Sequence, residues 1–117
     1  MIWSRLESLE QLRVIKEASR TNTILIFKHS TSCSISRTAL SRLERNWVAE
    51  QTVRVKPFFL DLLKYRNVSN QIAEEFSVHH ESPQILLIEN GESVYDRSHF
   101  DIDYLDVVEA LGRRAKN

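Results

Sequence analysis

The sequence predicts an α/β fold, in which helices cover both faces of a central sheet, and three observations indicate it. Ile24–Phe27 is a short, wholly apolar run that is typical of a strand buried on both faces. Helical and strand-like periodicities alternate along most of the chain. Asn90-Gly91 joins two strand-like runs, which is the strongest short signal for a hairpin.

The first half of the chain predicts helix, strand and helix in that order. Ser4 or Ser8 is placed to cap an opening helix. Its inner face carries apolar residues at helical spacing: Leu6, Leu9, Leu12, Ile15. A strand over Thr23–Lys28 follows, and the same spacing then returns in a second helix: Ile35, Ala39, Leu40, Leu43, Trp47. Met1–Trp3 is a candidate for a further short strand at the front.

The second half predicts a strand, a helix, the hairpin and a closing helix. Thr52–Asp61 is strand-like, and Pro57 within it indicates an edge, a bulge or a late start. Ser69 is expected to cap the helix that follows. The hairpin strands cover 84–89 and 92–96, and the last helix runs from Asp101 or Asp103 to about Arg114.

Length and composition limit the class of protein. A chain of 117 residues with 42% apolar side chains fits one domain with a real core, so we treat residues 1–117 as a single domain. The 16 basic and 16 acidic side chains give no net charge, which argues against a nucleic-acid partner. Apolar runs are far shorter than the ~20 residues that cross a bilayer, and no signal segment opens the chain. We therefore expect a cytoplasmic protein without a membrane partner.

Cys33 is the only cysteine, so the chain contains no internal disulfide. It lies in the turn between the buried strand and the second helix. Unpaired amide N–H groups and the helix dipole at that position favour thiolate over thiol. A readily ionised sulfur is also a good leaving group, which suits a thiol that must release its own adduct. The sequence therefore predicts a reactive Cys33 rather than an inert buried one.

The segment around Cys33 resembles the signature of the monothiol bacilliredoxin family, which is thioredoxin-like. The resemblance rests on Phe27-Lys28-His29-Ser30-Thr31-Ser32-Cys33-Ser34-Ile35-Ser36 and on His80-Glu81-Ser82-Pro83-Gln84. Ser34 departs from it, because many relatives have proline there. The resemblance implies a thioredoxin-like fold with a mixed sheet of four to five strands. It also implies exchange of bacillithiol, a small thiol co-substrate, onto and off cytosolic protein cysteines, with no bound cofactor.

Ser36 stands where dithiol relatives have a second, resolving cysteine. A hydroxyl is un-ionised at neutral pH and cannot expel a substrate from a mixed disulfide. We expect Ser36 to hydrogen-bond to the Cys33 thiolate and stabilise its charge. Cys33 is then the nucleophile that forms a mixed disulfide and waits for an external thiol.

Ser82 and Pro83 form the second half of the expected site. Proline is the residue that most readily accepts a cis peptide bond, and the fold resemblance favours cis at Ser82-Pro83. We expect the Ser82 backbone to face Cys33 and to pair with an extended substrate chain. We also assign Lys28, His29, Ser32 and Ser34 to substrate binding. Three basic residues are candidates for an attractive rim around the thiol: Lys28, Arg37 and Arg42.

Two other functions remain open from the residues. A thioredoxin-like module without enzymatic activity would use the Ser82-Pro83 groove to hold peptides. A metal or iron–sulfur carrier would combine Cys33 with His29, His79 or His80, because thiolate and imidazole are suitable ligands. The spacing of these residues matches no diagnostic metal motif, so thiol exchange is the leading prediction.

Overall fold

A computed structural model of the protein describes residues 1–115, with side chains for residues 1–113. Five strands form one sheet: β1 Ser4–Arg5, β2 Thr23–His29, β3 Val55–Asp61, β4 Gln84–Glu89, β5 Glu92–Ser98. Four helices accompany them: α1 Leu9–Ala18, α2 Ser34–Asn46, α3 Arg66–Phe76, α4 Tyr104–Ala115. Short 3₁₀ turns cover Ala49–Gln51 and His99–Asp101. The domain proposed over 1–117 includes two residues that lie outside this description.

The sheet is mixed, with strand order β1-β3-β2-β4-β5. β1, β3 and β2 run parallel, whereas β4 and β5 are antiparallel to their neighbours. β2 is therefore the central strand, as its continuous apolar sequence predicts. The predicted α/β class, with a mixed sheet covered by helices on both faces, is confirmed.

Each face of the sheet has its own core, because alternate residues of β2 point to opposite sides. Ile24 and Ile26 pack with side chains of α1 and α3. Leu25 and Phe27 pack on the other face with side chains of α2 and α4. The two residues that follow in β2, Lys28 and His29, continue this alternation and lie on different faces.

Local sequence explains the first helix and the hairpin. Ser8, rather than Ser4, caps α1, and its hydroxyl and the Gln11 side chain form a reciprocal capping box. Asn90 and Gly91 both have positive φ, 52° and 76°, as the tight hairpin turn requires. The Asn90 amide also donates to the Ser19 carbonyl at 2.8 Å, which ties the turn to the end of α1.

Several boundaries differ from the sequence predictions. The front strand is Ser4–Arg5 and not Met1–Trp3. Ser69 does not cap α3: it is fully buried inside the helix, which begins at Arg66. β3 begins at Val55, and β1 pairs only with Phe58 and Phe59. Pro57 therefore lies on the part of β3 with a single neighbouring strand, where its missing N–H is tolerated.

Within the described part of the chain, no helix is long and apolar enough to cross a bilayer.

Candidate active site

Cys33 is the N-cap residue of α2 and is partly exposed. Its backbone is extended, with φ −108° and ψ 121°. Its amide donates to the Ser30 carbonyl at 3.2 Å, and its carbonyl accepts the Arg37 amide at 3.1 Å. The strand β2 and the short turn after it thus place the sulfur at the start of the helix, where solvent reaches it.

The first turn of α2 has unopposed positive character. It contains no acidic residue, and no side chain of the described residues caps it. The leading amide N–H groups of the helix therefore have neither an intrahelical nor a side-chain acceptor. Such groups stabilise a thiolate beside them. Cys33, as the N-cap residue, lies beside these unpaired N–H groups.

Ser36 does not make the hydrogen bond to Cys33 that the sequence predicts. Its hydroxyl is fully buried, lies 2.7 Å from His29 Nδ1 and accepts the Ser30 amide at 3.0 Å. Among the described residues it forms no hydrogen bond to the Cys33 sulfur. The expected contact to the thiolate is wrong, because the buried Ser30 amide and the His29 ring use the hydroxyl instead.

His29 is a buried structural partner and not a substrate contact. Its ring centroid lies 5.3 Å from that of Phe59 and 6.2 Å from that of Phe27. Burial lowers the pKa of His29 below its ordinary value of 6.5, although Asp61 acts in the opposite direction. The structure therefore does not place His29, which the sequence assigns to substrate binding, on the accessible surface: its side chain is only 5% exposed.

Lys28 is also placed differently from the prediction. Its side chain is fully buried on the face of α3, and Nζ donates to the Ser69 carbonyl at 3.2 Å and to His80 Nδ1 at 3.3 Å. Burial lowers the pKa of Lys28 to about 8. The side chain of Lys28, which the sequence assigns to the basic rim and to substrate binding, is therefore not accessible in this structure.

The remaining residues near Cys33 are accessible. Ser32 and Ser34, the predicted substrate contacts on either side of the thiol, are both exposed. Arg37 is exposed as well and donates to the Thr31 carbonyl at 2.9 Å, which fastens the turn before Cys33 to α2. Arg42 lies 3.9 Å from Asp103, so its charge is partly neutralised. Of the proposed basic rim, Arg37 is the member that lies in the first turns of α2.

The Ser82–Pro83 peptide bond is cis, and Pro83 is buried. Gln84 pairs with Lys28 in the sheet, so this bond lies beside the end of β2 from which the chain turns to Cys33. The Pro83 carbonyl accepts the His99 amide at 3.0 Å. The Ser82 hydroxyl oxygen is buried and has no hydrogen-bond partner among the described residues.

Sequence reasoning missed the polar cluster beneath this loop. His80 and Ser69 meet Lys28 on the α3 side of the sheet, and His80 Nδ1 lies 3.3 Å from the Ser69 hydroxyl. The signal was present, because strand alternation assigns Lys28 and His29 to opposite faces. His79, by contrast, is exposed. Among the described residues no group of three or more His, Cys, Asp or Glu side chains is arranged to hold a metal ion.

Comparison with known proteins gives a family and a fold. The sequence model of the monothiol bacilliredoxin BrxC family matches residues 4–107. A solved protein assigned provisionally as an oxidoreductase with a thioredoxin fold is 30% identical, with a TM-score of 0.79 over 92% of this chain and 91% of that one. Thioredoxin from Trypanosoma brucei brucei is 15% identical, with a TM-score of 0.77 over 99% and 93% of the two chains. Chloroplastic thioredoxin z is 22% identical, with a TM-score of 0.74 over 100% and 97%.

These similarities establish a thioredoxin-like fold, as the sequence predicts. The two thioredoxins, at 15% and 22% identity, show similarity of fold alone. The family match and the first structure additionally support a function of the thiol–disulfide oxidoreductase kind.

Proposed function

The chain belongs to the monothiol bacilliredoxin family, and we propose that it removes a small thiol, bacillithiol, from S-thiolated proteins through a mixed disulfide on Cys33. The observation that carries this proposal is the position of Cys33. The chain's only sulfur nucleophile is partly exposed at the uncapped start of α2.

The reaction has two exchange steps. In the first, the Cys33 thiolate attacks the sulfur of the bound small thiol, so that a new disulfide forms and the disulfide to the target protein breaks. The target sulfur leaves as a thiolate and takes up a proton. In the second, an external thiol attacks the adduct, releases Cys33 and leaves as a small-molecule disulfide. Overall one external thiol is consumed: its sulfur is oxidised into a disulfide with the small thiol, and the target sulfur is reduced to a thiol.

The contacts of Ser36 support the one-thiol route. This residue lies three positions after Cys33, where a resolving thiol would have to stand. Its hydroxyl is hydrogen-bonded to His29 and to the Ser30 amide. A hydroxyl cannot replace a thiol in attacking the mixed disulfide. Release of the adduct therefore requires a thiol from outside the chain.

The loop at Ser82 and Pro83 supports docking of the target protein. It lies at the same end of the sheet as the turn to Cys33, and the Ser82 hydroxyl has no partner among the described residues. An extended target segment would pair with the backbone at Ser82. Exposed Ser32 and Ser34 would contact the chain on either side of the capped cysteine. A cytoplasmic location and S-thiolated cytosolic partners complete the proposal.

The test is the rate at which bacillithiol is released from a target protein that carries it on a single cysteine. With an external thiol present, the wild-type protein should accelerate release, and Cys33→Ala should return it to the uncatalysed rate. Ser41→Ala, an exposed change on α2, is the matched control and should match wild type. Full activity of Cys33→Ala would contradict the proposal. A wild-type protein that binds the target without accelerating release would indicate a binding module instead.

A further inference from the structure

Beneath the Ser82-Pro83 loop lies a buried ammonium group that the proposed reaction does not use. Lys28 has no exposed surface, and its Nζ donates to the Ser69 carbonyl and to His80 Nδ1. An ammonium group can only donate, so Nδ1 must be the acceptor. His80 is therefore neutral in this contact, with its ring proton on Nε2.

His80 belongs to the segment between α3 and β4 that carries Ser82 and Pro83. The end of this segment is fixed by backbone pairing of Gln84 with Lys28. Its middle is fixed by Lys28 through His80, and by the Gln84 side chain, whose Nε2 donates to the His79 carbonyl at 2.9 Å. The residues just before Pro83 are thus held against β2 from the opposite side of the sheet to Ser36.

We propose that Lys28 is a positioning residue for thiol exchange, which acts through His80 to hold Ser82 and Pro83 where the target chain docks. The inference rests on the proposed function. Lys28 itself touches neither the substrate nor the thiol. Its effect should appear in the apparent affinity for the target protein and not in the chemistry at Cys33.

This role can be separated from simple structural support. Without Lys28, His80 loses its link to β2, but its Nδ1 can still accept from the Ser69 hydroxyl of α3, and the Ser69 carbonyl keeps the helical amide four residues on. Lys28→Met therefore leaves neither acceptor buried without a donor. It also removes a charge whose burial is unfavourable, which is why the pKa of Lys28 is lowered to about 8. The variant should fold at least as stably as wild type.

The contact also predicts a response to pH. A second proton on His80 would sit on Nδ1 and face the ammonium, so the hydrogen bond would be lost. Burial, then the charge of Lys28, then Arg66 and more weakly His79 lower the pKa of His80, and Glu81 raises it. The loop should accordingly be held near neutral pH and released as the medium becomes acidic.

The experiment measures kcat and KM for the capped target protein between about pH 5 and pH 7.5. In wild type, KM should rise toward acidic pH. In Lys28→Met, KM near neutral pH should be about tenfold higher, as loss of one charge-assisted hydrogen bond implies, with kcat within about twofold. Its KM should also change little with pH. Lys56→Met, which removes an exposed lysine from β3, should match wild type throughout.

A second variant keeps an acceptor for Lys28 at position 80 but removes the titratable imidazole ring. In His80→Asn the side-chain oxygen takes the approximate place of Nδ1, so KM should stay near the wild-type value and lose its acidic rise. A Lys28→Met protein with wild-type KM at every pH, beside an active wild type, would overturn this inference and leave the proposed function intact. A wild-type protein unable to release the cap would overturn both.

Discussion

Ser36 Oγ lies 2.7 Å from His29 Nδ1, one helical turn after Cys33, on a side chain with no exposed surface. The same oxygen accepts the Ser30 amide. The position at which a second cysteine would complete a dithiol site is therefore part of the buried hydrogen bonding that joins β2 to α2. This arrangement separates the support of the site from its chemistry.

Ser36→Ala should reduce stability more than activity. The change leaves the buried Ser30 amide without its acceptor, which costs about 1–3 kcal/mol. Urea unfolding should show this loss relative to Ser41→Ala, the exposed serine control on α2. Release of the cap should fall only modestly under conditions in which the variant is folded. A complete loss of activity in folded Ser36→Ala would show that its hydroxyl does act on the thiolate.

Ser36→Cys should convert the one-thiol reaction into a two-thiol reaction. The new thiol lies one turn after Cys33, where it can attack the adduct and release the small thiol. After a single turnover without external thiol, the intact mass of the variant should be two hydrogens below that of its reduced form, because its two cysteines have formed a disulfide. Wild type should instead retain the added thiol. A stable adduct on Ser36→Cys would show that residue 36 cannot reach the sulfur of Cys33.

Stability should fall as the pH decreases through the range where free histidine titrates. Burial lowers the pKa of both His29 and His80 below 6.5, so the unfolded chain binds more protons than the folded chain just below that pH. Falling pH therefore favours unfolding, and the contribution of these residues is fully present only above 6.5. The free energy of unfolding, measured by urea titration at several pH values, should decline toward pH 5.

The control for this decline is a pair of variants. His29→Asn keeps an acceptor near the Ser36 hydroxyl and removes one titrating group, so its decline should be shallower. His79→Gln changes an exposed ring and should retain the wild-type decline. An equally steep decline in His29→Asn would mean that other groups cause the pH dependence.

Gly91→Ala should weaken the fold without affecting the site. Gly91 has φ +76°, a conformation that costs a residue with a Cβ about 1 kcal/mol. The turn lies at the end of the sheet opposite Cys33, so release of the cap should be unchanged. Gly112→Ala is the contrasting control, because its Cβ would meet nothing within 4 Å in α4, and it should be neutral or stabilising. Equal stabilities of the two variants would contradict this reasoning.

Much of the fold could be predicted because local signals and burial agree. The apolar run in β2 is the central strand, and the turn at Asn90 and Gly91 has the positive φ values that these residues accept. The start of α2 at Cys33 likewise follows from the return of helical spacing at Ile35. In each case a pattern within a few residues determines the structure.

The partners of polar side chains could not be predicted in the same way. Serine is a favoured helix-capping residue. Ser69 is nevertheless buried inside α3, because the helix begins one turn earlier at Arg66. Lys28 looks like a cation beside the thiol, yet its amine meets Ser69 and His80, 41 and 52 positions away along the chain. Contacts between distant segments depend on how helices pack on the sheet, which spacing does not reveal.

The most direct test of the central claim is the intact mass of the protein after mixing with a target that carries bacillithiol on its one cysteine. Without external thiol, the protein should gain the mass of one bacillithiol on Cys33 while the target regains a free thiol. Cys33→Ala should gain nothing and leave the target capped. A target that loses its cap while Cys33 stays unmodified at every time point, or one that transfers nothing to the wild-type protein, would contradict the account.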